Sequence, residues 1–115
     1  MVKTIKVQQV IDMLDLEVVT KGSLEKEING GYVGDLLSNV MAKAKAGNIW
    51  VTIQGHQNVV AIALLIDVSA VIVAEDFEID DQAINRAEEK GVNLLRSPLS
   101  AYEIVGRLYE NGITS

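Results

Sequence analysis

The stretch Glu27-Ile28-Asn29-Gly30-Gly31-Tyr32-Val33-Gly34-Asp35-Leu36-Leu37-Ser38 decides how this chain is read. Three glycines fall within five positions, and an amphipathic pattern starts directly after them. Glycine reaches backbone angles that other residues adopt only at a cost. A glycine turn feeding a helix start can also bring N–H groups close to a ligand. The stretch is not a Walker A loop, because no Lys-Ser or Lys-Thr follows at the required spacing, and it is not the dinucleotide G-x-G-x-x-G. A tight structural turn is its first reading and a phosphate cradle its second.

Working outward, Asp35 is placed to cap a helix whose apolar face is Leu36, Leu37, Val40, Met41 and Ala44. Lys43 and Lys45 suit its last turn, and Gly47 its stop. Ile49–Ile53 reads as a strand, and Asn58 as the cap of a helix running to about Asp67. Ala70–Ala74 is almost wholly apolar, as in strands covered on both faces. Asp80 opens a further helix, stopped by Gly91, and Val92–Leu95 is a short strand. Ser97-Pro98 opens the last helix, with Ser100 and Glu103 as an alternative capping pair. Upstream, Thr4 is a cap for a helix with Val7, Val10, Ile11 and Leu14 on one face. Leu16–Val19 then forms a strand, and Lys21-Gly22-Ser23 a turn.

This alternation predicts an α/β fold: a three-layer-like single domain over residues 1–115 with a mainly parallel central sheet flanked by helices. Ile49–Ile53 and Ala70–Ala74 are expected to be adjacent central strands. About half of the 115 residues are apolar, enough for one such core. The net charge of −6 argues against nucleic acid, which requires clustered Lys and Arg. Without cysteine there are no disulfides, thiolate nucleophiles or Cys-zinc sites, and His56 alone makes no multi-His metal centre. No metal or cofactor is implied. Hydrophobic runs are too short for a bilayer and the start lacks a signal-peptide core, which points to the cytoplasm.

Val59–Ile66 is apolar on every side, so at helical pitch it has no polar face. Either the chain's own helices cover it or a second subunit does. With the face Leu36, Leu37, Val40 and Met41 it is the candidate surface for a homodimer.

Ligands of parallel α/β sheets sit outside the carboxyl ends of the strands. There this sequence sets Gln54, His56 and Asn58, then Glu75 and Asp76, then Arg96 and Ser97. The candidate ligand set is Gly30, Gly31, Gln54, His56 and Asn58, with Asp35 nearby. It suits a small anionic metabolite or nucleotide, with His56 as a titrating group. Set against this, Asn58 simply caps a helix, Asp76 turns the chain and Arg96 is solvated. For Gln54 and His56 the two readings balance. A catalytic set of Ser38, His56 and Asp35 uses residue types common to most small domains. Asp80-Asp81 and Glu88-Glu89 read as helix-start and solvated-face residues.

Taken together, the chain resembles a DRTGG domain. The family's five-residue word appears as Glu27-Ile28-Asn29-Gly30-Gly31, with Ile28 where the family name has arginine. Tyr32 to Ser38, Trp50 to Ala61 and Arg96 to Glu103 resemble the family's later segments. Such domains are attached to CBS domains, to some pyrophosphatases and to some phosphate acetyltransferases, and they resemble the N-terminal region of HPr kinase/phosphorylase. The resemblance implies a non-catalytic regulatory or dimerising module that acts through a partner protein or enzyme. A kinase label would be inherited from a neighbouring domain, since this chain lacks a phosphate-cradling loop. The alternative is a small enzyme acting on a phosphorylated metabolite, with His56 as acid and base.

Overall fold

The computed structural model describes residues 4–114; the first three residues of the start read for a signal segment lie outside it. The chain begins with β1 (Ile5–Lys6), α1 (Val7–Leu14), β2 (Glu17–Thr20), β3 (Glu27–Ile28) and β4 (Gly30–Val33). Then follow α2 (Leu37–Lys43), β5 (Asn48–Thr52), α3 (Gln57–Ile66), β6 (Ala70–Val73), α4 (Asp81–Lys90), β7 (Leu94–Arg96) and α5 (Ala101–Glu110). Five strands form one sheet in the order β2-β7-β6-β5-β4, while β1 and β3 pair separately. β4, β5, β6 and β7 run parallel, and β2 alone is antiparallel. The mainly parallel sheet flanked by helices is the expected fold, and β5 and β6 are adjacent interior strands.

Alternation along the strands divides the core into two. Ile49 and Val51 join Ala70, Ile72 and Leu95 beneath α1 and α5, where Val10, Leu14, Ile104 and Leu108 meet them. Trp50, Val71, Val73 and Leu94 face the other way, toward Val40 of α2, Val59, Val60 and Ala63 of α3, and Ala83 and Ala87 of α4. The apolar helix α3 is thus covered on its core side by its own chain. Leu65, 69% exposed, stands outside that cover.

Several local expectations are corrected. Gly30 and Gly31 do not form a turn; they open the edge strand β4, paired with Asn48 and Ile49. Lys6, not Thr4, caps α1, with its N–H donating to Gln9 Oε1 at 2.8 Å. Leu36, not Asp35, stands at the cap of α2. His56, not Asn58, caps α3. Of the two starts considered for the last helix, Ser100 is the cap, its Oγ accepting from the Glu103 N–H at 3.2 Å.

Candidate functional site

The carboxyl end of β5 is built by side chains that close on the backbone. Trp50, fully buried, donates from its indole to the Gly34 carbonyl at 2.9 Å. The Gly34 N–H donates to Val51 O at 3.1 Å. One Asp35 carboxylate oxygen accepts from Thr52 Oγ1 at 2.9 Å and from the Ile53 N–H at 2.8 Å. The Gln54 amide donates to the Asp35 carbonyl. Asp35 is a lock between the β4 and β5 ends, which is why it is not spent on capping α2.

His56 continues the same pattern. Its Nδ1 accepts from the Asn58 N–H at 3.1 Å, one of the free donors at a helix start. That bond assigns the neutral ring its proton on Nε2. The ring is exposed. Between Gln54 and His56, a Cβ built at Gly55 would overlap the Glu78 carbonyl oxygen, and the Gly55 carbonyl accepts from the Asp80 N–H at 2.9 Å. The polar run Gln54-Gly55-His56-Gln57 is thereby explained by close backbone packing and a cap.

Asp35 and Gln54 are joined by one of these bonds and His56 and Asn58 by another, both past the end of β5, but Gly30 and Gly31 are not among them. They pair with the amino end of β5. From Asn48 to Gln54 the extended chain covers roughly 20 Å. Helices α2, α3 and α4 all pack on one face, so the crossovers after β5 and β6 do not diverge in the way that opens a crevice between strands. The next connections do diverge: α4 follows β6 on one face and α5 follows β7 on the other. Backbone bonds close that gap, from the Glu75 N–H to Leu99 O at 2.8 Å and from the Asp76 N–H to Ser97 O at 2.9 Å. Glu75 and Asp76 both hold positive φ, near 59° and 54°. Arg96 secures the turn, donating to Phe77 O at 3.0 Å and Asp76 O at 2.7 Å and pairing with Glu17 at 3.7 Å. Its guanidinium is engaged rather than solvated.

The glycine word also has structural duties. Ile28 is buried in the core cluster that includes Val7, Val10 and Leu14 of α1, so the position where the family name has arginine faces the core here. Asn29 donates to Ala46 O at 2.8 Å and accepts from Asn48 at 3.0 Å, tying the start of β4 to the loop before β5. Gly31 leaves a gap instead of filling one. A hollow of about 170 Å³ lies beside it, walled by Val33, Ile49, Val105, Leu108 and Tyr109. The sequence reading missed this hollow. Its legible signal was a second apolar stripe on the last helix, Tyr102, Val105 and Tyr109 at i, i+3 and i+7, with Gly106 in the helix interior.

Sheet, layers and polar lock define an α/β module whose loops are tied down by their own side chains. The sequence model of the DRTGG domain matches residues 9–110, and the chain belongs to that family. No curated protein sequence matches it. Among solved structures, it is similar to the CBS and DRTGG domains of the regulatory region of Clostridium perfringens pyrophosphatase, crystallised with the activator diadenosine tetraphosphate. The TM-score is 0.75 at 14% identity, over 96% of this chain and 50% of that one. The chain therefore spans half the length of that regulatory region. Among the described residues, no helix is long and apolar enough to cross a membrane.

Proposed function

We propose that residues 1–115 form one DRTGG domain that works as a non-catalytic regulatory module in the cytoplasm. It acts as a homodimer on a partner protein, in response to a small anionic metabolite or nucleotide. Family membership over residues 9–110 is the observation that carries this reading. The fold it shares with a pyrophosphatase regulatory region, itself crystallised with a nucleotide activator, supports it. So does the chemistry at the β5 end. Asp35 and His56 are spent on backbone bonds, so they stand as locks and not as a base and its orienting acid.

The ligand position proposed is the rim made by Asp35, Gln54, His56 and Asn58; Gly30 and Gly31 drop out of it. His56 keeps Nε2 as a donor, and the first N–H groups of α3 add a partial positive charge. A thermal-shift panel of nucleotides, including diadenosine tetraphosphate, and acyl phosphates tests the reading. Stabilisation by an anion that His56→Ala and Gln54→Ala both remove is the expected result. Turnover of a phosphorylated compound that His56→Ala abolishes would instead establish the enzyme alternative.

A further inference from the structure

The two edges of the sheet are built differently. β2 carries Glu17, which pairs with Arg96, and its register slips between Val18 and Thr20. Charges and bulges of this kind keep a strand edge from pairing with another chain. β4, Gly30-Gly31-Tyr32-Val33, has no charge, and its register with β5 is regular. The Gly34 N–H reaches β5, so alternation turns Tyr32 inward and leaves the N–H and C=O of Gly31 and Val33 on the outer edge.

Helix α5 flanks that edge with apolar surface its own chain does not need. Ile104 and Leu108 bury one face. A second stripe of Tyr102, Val105, Gly106 and Tyr109 borders an open groove of about 540 Å³, which shares Val33, Val105 and Tyr109 with the hollow beside Gly31. Tyr102 is 92% exposed. Glycine inside a helix costs roughly 0.5–1 kcal/mol relative to alanine. Among the described residues nothing lies within 4 Å of a Cβ built at Gly106, so none of their contacts requires that glycine.

We propose that β4 and α5 form a symmetric docking surface for a second copy of this chain. The inference rests on the homodimer of the proposed function and gives it a face and a register. A twofold axis at Tyr32 sets Gly31 of each copy opposite Val33 of the other, and the free edge groups pair into one antiparallel ladder. The sheet then runs on through both copies. The two α5 helices meet on the same side of it, and Gly106 lets their backbones approach. A twofold interface needs knob and hole on one patch, and this patch has both. The hollow of about 170 Å³ is the size of a cavity that accepts a benzene ring, roughly 150 Å³. Exposed Tyr102 supplies the ring. Charge favours the same choice. Two copies at −6 repel, and among the described residues none with a charge lines the groove or the hollow.

Sedimentation equilibrium of the full chain tests this with three variants. Gly106→Glu places a charge at the helix contact. Gly31→Val fills the hollow, where a Cβ meets only ordinary contacts at 3.4 Å or more. Leu65→Glu alters the exposed α3 surface instead. The expected result is a wild-type dimer, with Kd raised roughly 30-fold or more in the first two variants. Their melting as monomers should be retained, and Leu65→Glu should leave the dimer unchanged. A dimer that survives both β4–α5 variants overturns the proposal, and if Leu65→Glu dissociates it, the homodimer stands with another face. A wild-type chain that stays monomeric at high micromolar concentration overturns both, and with them the dimer in the proposed function.

Discussion

The carboxyl end of β5 and the outer side of β4 lie on neighbouring strands and differ in what they leave unspent. At the β5 end, Asp35, Gln54 and His56 each close a hydrogen bond on nearby backbone. At β4 the only side chains are those of Tyr32 and Val33, both uncharged, and among the described residues no strand lies on the outer side of Gly31 and Val33. Polar residues gathered at a sheet end look like a site in sequence because their type is visible and their partners are not. Spare binding capacity resides where groups remain unpaired, and here a glycine leaves both a bare edge and a hollow.

If the β5 end is structural, its substitutions should cost stability in proportion to what they disturb. Gly55→Ala should cost most, about 3 kcal/mol, because the new methyl overlaps the Glu78 carbonyl and the backbone must move. Urea unfolding measures it, and a loss under about 1 kcal/mol would show that the contact yields easily. Asp35→Ala should cost about 2 kcal/mol, since fully buried Thr52 loses the acceptor for its hydroxyl. Asp35→Asn, which keeps an oxygen in place, should recover part of that loss. His56→Ala removes a cap and should cost about 1 kcal/mol. A neutral result there would mean that solvent serves the Asn58 N–H equally well. On the other side of the comparison the sign reverses. Gly106→Ala should raise monomer stability by up to about 1 kcal/mol, because the helix gains propensity and meets no clash.

Much of the fold was legible because apolar runs carry their own instruction. Ala70 to Ala74 announced a strand covered on both faces, and it lies at the centre of the sheet. Val7, Val10, Ile11 and Leu14 announced one buried helical face, and all four are buried. The caps were less legible. Sequence showed Asp35 and Asn58 as capping types, but Thr52 and Ile53 claimed the first, and His56 bonded the N–H of the second. Both outcomes depend on contacts between segments, which a local window does not contain. Gly30-Gly31 misled for a related reason. Glycine pairs signal turns through backbone freedom, yet at β4 the lack of a side chain matters more. Glycines that look alike in sequence do different work: Gly55 permits contact with Glu78, and Gly31 leaves a hollow.

Amide hydrogen exchange reads both regions in one experiment, at low and at high protein concentration. On this account the Gly31 and Val33 amides exchange quickly when dilute and become protected as concentration rises. The Ile53 and Asn58 amides, bonded to Asp35 and His56, should keep the same protection throughout. Gly31 and Val33 amides whose exchange ignores concentration, or concentration-dependent protection confined to α2 and α3, would contradict it.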